Sequence, residues 1–347
     1  MKRHSLVTAG CILAMLSTSP AARQAGKVLI GYCVGLKGLE IAKAAGFDYV
    51  ELGVTEIAAL SDAEFDAALE RVKQVGIPTP NANLFIPGTI RLTGPEATDQ
   101  EQQLAYVKKA FARLNRLGVK IVCFGSGGAR RVPEGFPQED AFKQLVAFGK
   151  LIGPEARANG ITVVIEPLRR QETNIINTTR QGLDLVKAVN DPNFELLIDF
   201  YHLASEKEDP AIILEAGEHI RHLHMANPQG RVFPLLWEEF DYAPFFANLR
   251  QIGYAGRISI EASSRDVPTE APKAIALLRR AFVDPPPRVA IEPPTPGRGA
   301  PYFFATVHVP LASSPPPFCV STHVPFAVSP SKIAVSVTSA DSSGGKS

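Results

Sequence analysis

Four apolar segments of the chain each end on a side chain of a type that binds metal ions: Glu166, Asp199, His224 and Glu261. The spacings between them, 33, 25 and 37 residues, are each about the length of one strand and one helix. Neighbouring strands of a parallel sheet end at the same edge, so these four side chains could converge there. The pattern therefore indicates a metal site built at the ends of four strands.

The residue types limit which ion such a site would hold. A carboxylate at the end of a buried strand is costly unless a positive charge compensates it. That positive charge is either a bound cation or an arginine from a neighbouring loop. His222 lies on the same side of its strand as His224, but His224 is nearer the carboxyl end and is the expected ligand. Three carboxylates and one imidazole suit Mn²⁺, Mg²⁺ or Co²⁺ better than a structural zinc.

The elements that would position these residues are eight strands that alternate with eight helices. The strands are apolar along their length, which is typical of a parallel sheet buried on both faces. This alternation predicts an α/β fold, a (β/α)8 TIM barrel forming a single domain. A doubly wound open sheet is the alternative, but no glycine-rich phosphate loop follows the first strand. The predicted domain spans 27–283, with strands over 27–34, 48–54, 79–86, 119–125, 162–168, 194–199, 220–225 and 257–262.

Local signals mark several element boundaries. The stretches 61–64 and 98–101 have the serine or threonine followed by glutamate that is typical of a capping box. Thr178 is expected to open another helix. Pro80 interrupts the third strand, and the glycine-rich stretch 125–128 is expected to form a turn after the fourth.

The two ends of the chain differ from the middle. Residues 1–26 contain a basic start, an apolar run over 6–16 and then small residues, which is the order of a secretory signal. The protein is therefore expected to be periplasmic or secreted, with an uncleaved leader on a cytoplasmic enzyme as the alternative. The apolar run is too short to span a bilayer. Residues 284–347 hold 13 of the 29 prolines and predict a mostly disordered tail rich in proline and serine.

Charge and cysteine content exclude some classes of function. The formal net charge of +1 provides no electrostatic footprint for nucleic acid or an anionic membrane, so neither is an expected partner. Cys33 and Cys123 fall in predicted buried strands, whereas Cys11 and Cys319 lie in the terminal extensions. This arrangement favours buried free thiols over a disulfide framework or a cysteine metal knuckle.

The segments IEPLRRQETN, IDFYHL, HLHMANPQGR and ISIEAS resemble motifs of the xylose isomerase-like barrel superfamily. Within it they resemble the sugar phosphate isomerase/epimerase group that includes the ketose 3-epimerases. The resemblance covers about 31–281 and is specific at the last four strands. It implies one divalent ion held by Glu166, Asp199, His224 and Glu261.

The resemblance also implies how the site would act. Glu166 and Glu261 would double as acid and base on opposite faces of the substrate, and Glu172, His202 and Arg231 match substrate-contacting positions. One glutamate would remove the proton next to a ketose carbonyl, while the ion stabilises the enediolate. Return of a proton to the opposite face inverts that carbon, whereas return to the adjacent carbon is aldose–ketose isomerisation. The expected partner is a small sugar, and a homodimer is compatible with the sequence.

Three other functions stay open or are disfavoured by particular residues. A lyase or dehydratase acting on a 3-keto sugar would begin with the same proton removal, and a catalytically silent sugar-binding barrel would use the same pocket. The abasic-site endonuclease of this superfamily needs further histidines, and the third and fourth strands here end on Asn83 and Gly125 instead.

Arg130 and Arg131 could contact an anionic group such as a phosphate, or be solvated in their loop.

Overall fold

The computed structural model describes residues 28–97 and 99–283, and within them eight parallel strands form a closed barrel. Each strand pairs with its sequence neighbour, and β1 closes the ring by pairing with β8 from Leu29 opposite Arg257 to Tyr32 opposite Ile260. The predicted (β/α)8 barrel is confirmed. The strands are β1 Leu29–Cys33, β2 Tyr49–Gly53, β3 Asn81–Asn83, β4 Ile121–Phe124, β5 Thr162–Ile165, β6 Phe194–Asp199, β7 Ile220–Met225 and β8 Arg257–Ile260.

Helices connect the strands and pack around the barrel. Besides the connecting helices, the part of the chain described here has short helices directly after strands β2, β4 and β6, at the end of the barrel where the strands finish. The helices are α1 Leu39–Ala44, α2 Val54–Ala59, α3 Asp62–Val75, α4 Gln100–Arg116, α5 Gly127–Arg130, α6 Gln138–Ala158, α7 Thr179–Val189, α8 Phe200–Ser205, α9 Ile212–Ala216, α10 Ala243–Gln251 and α11 Val267–Val283.

The predicted helix starts are partly confirmed. Ser61 caps α3 in a capping box, because its side chain accepts from the Glu64 N–H while the Glu64 carboxylate accepts from the Ser61 N–H. Thr178 caps α7 by accepting from Gln181. The prediction for α4 was wrong by one position: the cap is Asp99, whose carboxylate accepts from the Gln102 N–H at 2.9 Å, and residue 98 lies outside the described residues.

Two other local predictions need correction. Strand β3 has three residues rather than eight, because Pro80 has no N–H to donate and Leu84 turns into the left-handed region with φ of 55°. The stretch after β4 is not a plain turn: Ser126 adopts φ of 38°, and Gly127–Arg130 then form the single helical turn α5.

The core fills the barrel and the space between barrel and helices. All five residues of β2 and all six of β6 are buried, as expected for strands covered on both faces. Cys33 and Cys123 are free thiols. Across residues 28–97 and 99–283, no helix has the length and apolar character needed to span a bilayer. The leader predicted over 1–26 and the tail predicted over 284–347 lie outside the described residues.

Candidate active site

The four strand-end residues meet at one end of the barrel. Glu166 directly follows β5, Asp199 is the last residue of β6, His224 lies opposite Asp199 on β7, and Glu261 directly follows β8. One donor atom from each of these residues lies within 4.8 Å of the donor atoms of the others. Because parallel strands end together, side chains that are up to 95 residues apart in the chain meet at a single point.

His224 is at the centre of this cluster. Its ring is completely buried, and its Nδ1 lies 3.1 Å from Glu166 Oε1 and 3.3 Å from Glu261 Oε2. Asp199 is also buried. Its Oδ1 accepts from the Tyr201 N–H at 2.9 Å, but its Oδ2 has no hydrogen-bond partner among the described residues. A buried carboxylate oxygen without a partner is a costly arrangement that a ligand can relieve.

Burial and mutual repulsion perturb the carboxylates. Burial, and then the charge of Glu166, raises the pKa of Asp199 to about 7. Burial also raises the pKa of Glu166. Burial acts in the same direction on Glu261, but the charges of His224 and Arg231 outweigh it and lower the pKa of Glu261 to about 2. Burial thus favours the protonated forms of Glu166 and Asp199, and a cation bound between the carboxylates would favour their ionised forms.

The donor set fits a divalent ion. It has three carboxylates and one imidazole nitrogen close together, and one of the carboxylate oxygens, Asp199 Oδ2, has no hydrogen-bond partner among the described residues. Hard oxygen ligands with a single imidazole suit Mn²⁺ or Mg²⁺ rather than the thiolate-rich coordination of structural zinc.

The three predicted substrate contacts surround the same cluster. His202 Nδ1 accepts from the Arg169 N–H at 3.2 Å, so its proton is on Nε2. That Nε2 lies 3.5 Å from Asp199 Oδ2 and 3.9 Å from Glu172 Oε2, and it has no hydrogen-bond partner in the described part of the chain. Burial, then the charge of Arg231, lowers the pKa of His202 to about 3, so the ring is neutral. His202 is therefore an unused donor aimed into the site.

On the other side of the site, Arg231 contacts both Glu172 and Glu261. Its Nη2 lies 2.7 Å from Glu261 Oε2, its Nη1 lies 3.3 Å from Glu172 Oε1, and its guanidinium packs over the ring of Tyr201 at 4.7 Å. Arg231 is thus not a solvated loop side chain. The alternative that an arginine compensates the carboxylates holds for Glu261, but Arg231 is 3.8 Å from Asp199 and leaves its Oδ2 without a hydrogen bond.

Residues 39–281 match the family described as the xylose isomerase-like TIM barrel. The chain belongs to this family. L-ribulose 3-epimerase of Methylomonas sp. (strain DH-1) is 29% identical over 233 residues, which cover 67% of this chain and 79% of that protein. D-psicose 3-epimerase of Agrobacterium fabrum (strain C58) is 26% identical over 233 residues, covering 64% of this chain and 77% of that protein.

A solved epimerase structure has the same fold. The crystal structure of D-allulose 3-epimerase from Methylomonas sp. in complex with D-allulose superimposes with a TM-score of 0.64 at 23% identity, covering 74% of this chain and 98% of that one. At this identity the likeness concerns the fold. The curated relatives are sugar epimerases, and this member of the xylose isomerase-like family is an isomerase-class enzyme.

Neither alternative left open for Arg130, contact with an anionic group or solvation in its loop, agrees with the structure. Arg130 is completely buried, and its guanidinium donates to the carbonyl oxygens of Phe124 at 3.2 Å and Glu166 at 2.7 Å. It therefore anchors the backbone that carries Glu166. Arg131 donates to the carbonyl of Glu172 at 2.7 Å. The hydrogen bonds of both arginines therefore go to backbone carbonyls.

Sequence reasoning assigned no role to a set of buried polar residues beneath the cluster. Glu51 on β2 is completely buried, and its carboxylate contacts both His222 and His224. Although burial opposes it, the charges of His224 and His222 lower the pKa of Glu51 well below its ordinary range. The available signal was a single charged residue inside the otherwise apolar segment YVELG.

Proposed function

We propose that the protein is a divalent-metal-dependent epimerase of a keto sugar, acting at the carbon next to the carbonyl, that is, a ketose 3-epimerase. The main support is the convergence of four ligand-type donors within 4.8 Å, with the unpartnered Asp199 Oδ2 and His202 Nε2 directed at the same place. The curated relatives named above are L-ribulose and D-psicose 3-epimerases.

Glu166, Asp199, His224 and Glu261 would hold the ion, with Mn²⁺ favoured over Mg²⁺ or Co²⁺ by the donor set. When bound, the ion supplies Lewis-acid stabilisation of the negative charge that develops on the substrate oxygens. The ion would also offset the repulsion among the three closely spaced carboxylates at the end of the buried barrel.

Glu166 and Glu261 are the proposed acid and base. They reach the site from β5 and β8, three strands apart in the barrel, so a sugar lying between them would present one face to each. In one direction one of the two glutamates removes the α-proton and the other delivers a proton to the opposite face. The roles exchange in the reverse direction.

The remaining polar residues would orient the substrate. His202 offers a neutral Nε2–H donor to a sugar hydroxyl, because its Nδ1 is already engaged by the Arg169 N–H. Glu172 would accept from a hydroxyl. Arg231 holds Glu172 and Glu261 in their positions through the contacts at 3.3 and 2.7 Å.

The test is hydrogen exchange of ketose substrates in D₂O. Purified protein is incubated with Mn²⁺ and a panel of D-fructose, D-psicose, L-ribulose and 3-keto sugars, and deuterium is located by NMR. Deuterium at C3 together with the C3 epimer supports the proposal. An aldose product would indicate isomerisation, loss of water would indicate a dehydratase, and no exchange on any sugar would favour a sugar-binding barrel.

A pair of glutamate variants makes the test specific. Glu261→Gln should lower the exchange rate by about 10²- to 10⁴-fold, which is the usual contribution of a positioned acid or base. Glu195→Gln is the matched control, because Glu195 is also a buried glutamate but lies at the start of β6, where it pairs with His219 and Arg221. Equal losses in both variants would contradict the assigned role of Glu261.

A further inference from the structure

A network of buried polar side chains lies inside the barrel against Nε2 of His224, whereas Glu166 and Glu261 of the candidate metal site lie on the Nδ1 side. Its centre is Glu51. Glu51 Oε1 lies 3.1 Å from His224 Nε2 and 2.9 Å from Cys123 Sγ. Glu51 Oε2 lies 2.9 Å from His222 Nε2 and 2.6 Å from Ser259 Oγ. Glu51, His222, His224, Cys123 and Ser259 are all completely buried.

The direction of each hydrogen bond follows from the chemistry of the partners. An ionised carboxylate has about four lone-pair positions and no proton, so it can only accept. Four groups surround the two oxygens of Glu51, and they fill those positions if every one of them donates. Ser259 satisfies this condition because its own oxygen lies 2.8 Å from the Tyr49 hydroxyl, which can donate to it while Ser259 donates to Glu51. These four contacts fill the accepting positions of Glu51, whereas His222 Nδ1 has no hydrogen-bond partner among the described residues.

This network decides which nitrogen of His224 keeps its proton when an ion binds. Because Nε2 faces the Glu51 carboxylate, it carries a proton. Nδ1 lies 3.1 and 3.3 Å from carboxylate oxygens of Glu166 and Glu261, so it can also donate while no cation is present. A divalent ion held by the strand-end residues would take the Nδ1 lone pair, and the Glu51 contact would keep the remaining proton on Nε2. The two cysteine sulfurs are poor substitutes for Glu51, because Cys33 and Cys123 lie 3.9 and 3.8 Å from Nε2 and sulfur is a weak acceptor.

We propose that Glu51 is a positioning residue that fixes His224 in the Nε2–H tautomer and so sets the affinity of the strand-end site for its divalent ion. This inference rests on the proposed metal dependence of the enzyme. The contact joins β2 to β7, which are not neighbours in the barrel, so it also fixes the ring across the barrel interior. Partners of this kind on the far nitrogen of a metal-binding histidine typically change metal affinity by about 10- to 100-fold.

The first measurement is calorimetric titration of the full-length protein with Mn²⁺. Glu51→Met keeps the length of the side chain but removes both acceptor oxygens, and it should weaken Mn²⁺ binding by about 10- to 100-fold. Ser259→Ala is the control, because it removes a buried hydrogen bond to the other oxygen of Glu51 and leaves the His224 contact in place. The Mn²⁺ dissociation constant of Ser259→Ala should stay within about threefold of that of the unmodified protein. Weaker binding in Glu51→Met alone would then be due to the lost contact with His224.

The second measurement needs no variant at Glu51 and decides the question if Glu51→Met does not fold. In ¹⁵N-histidine-labelled protein with one equivalent of Zn²⁺ as a diamagnetic probe, the His224 signals, identified by their loss in His224→Asn, should show a protonated Nε2 and a ligated Nδ1. A proton on Nδ1 would overturn the inference. Mn²⁺ binding by folded Glu51→Met within threefold of the unmodified protein would do the same.

The outcomes also separate this inference from the proposed function. If the unmodified protein does not bind Mn²⁺ at all, the proposed metal-dependent function fails and the role of Glu51 fails with it. If the unmodified protein binds Mn²⁺ and Glu51→Met binds it equally well, only the role of Glu51 is lost. If Ser259→Ala weakens binding as much as Glu51→Met, the effect belongs to general disturbance of the core and the inference is wrong.

Discussion

Replacing Asp199 with asparagine should stabilise the protein in the absence of metal and should fail to do so in its presence. Asp199 is 2% exposed, and its Oδ2 has no hydrogen-bond partner within the described residues. Its other oxygen caps α8 by accepting from the Tyr201 N–H, and an asparagine oxygen can make the same bond. The substitution therefore removes the buried charge and keeps the local structure.

The raised pKa of Asp199 sets the size of the effect. Between the ordinary value of 3.8 and the folded-state pKa of about 7, the folded protein binds a proton that the unfolded chain has released. The free energy of unfolding therefore falls as pH rises through this window, and the full cost, about 4 kcal/mol at 1.36 kcal/mol per pKa unit, is present above pH 7. The asparagine amide would face the His202 donor, so we expect a net gain of about 2 to 3 kcal/mol at pH 8.

Bound Mn²⁺ should make the unmodified protein more stable than Asp199→Asn. Mn²⁺ at 1,000 times its dissociation constant stabilises the folded state by about 4.1 kcal/mol, which exceeds the expected advantage of Asp199→Asn. The variant lacks one of the four donors and should gain much less. The assay is urea unfolding at pH 8, with EDTA or with Mn²⁺, followed by the fluorescence of the single tryptophan, Trp237, which is buried.

The control is Glu195→Gln on the same strand. Its carboxylate pairs with His219 and Arg221 at the opposite end of β6, so the variant should lose stability to the same extent with and without Mn²⁺. The reasoning is refuted if Asp199→Asn is less stable than the unmodified protein in EDTA at pH 8. It is equally refuted if adding Mn²⁺ leaves the ranking unchanged.

Two further predictions concern metal binding. Burial lowers the pKa of His224, but the surrounding negative charges, Glu51 above all, outweigh burial and raise that pKa well above 6.5. Mn²⁺ must therefore displace a proton from His224, and the affinity for Mn²⁺ should rise about tenfold per pH unit near neutrality. Equal calorimetric dissociation constants at pH 6, 7 and 8 would contradict this. Gly125→Ala would place a Cβ 2.5 Å from Glu166 Oε2, so it should lower Mn²⁺ affinity and deuterium exchange at least about tenfold with little change in melting temperature. Gly128→Ala, whose Cβ would meet nothing closer than 3.8 Å, should match the unmodified protein, and equal activity of both variants would show that Glu166 is not held there.

Much of the fold could be predicted from local sequence. Strands β6 and β7 were predicted at the bounds that the structure has, because each is a short segment whose residues are buried, apart from one exposed residue in β7, Arg221. Strand β3 was predicted too long, since a backbone turn such as the one at Leu84, with φ of 55°, depends on tertiary packing more than on residue type. The cap of α4 was misplaced by one residue, because threonine and aspartate are both good caps and local sequence does not choose between them.

The site divides in the same way. Glu166, Asp199, His224 and Glu261 could be named in advance because each is the polar residue on which an apolar strand ends. The burial of Arg130 could not, because the one-turn helix α5 turns its guanidinium away from solvent toward the carbonyls of Phe124 and Glu166.

The sequence by itself determined the repeating strand–helix pattern, the barrel it implies and the four polar residues at the strand ends. Only the tertiary structure decided which groups meet inside the barrel. Glu51 and His222 are 171 residues apart in the chain yet 2.9 Å apart in space, and Glu51 and His224 are separated by 173 residues. Such distances are set by closure of the whole sheet, in which β2 and β7 face each other across the interior. Residue type and local periodicity carry no information about that approach, so the network that orients His224 appears only once the barrel is closed.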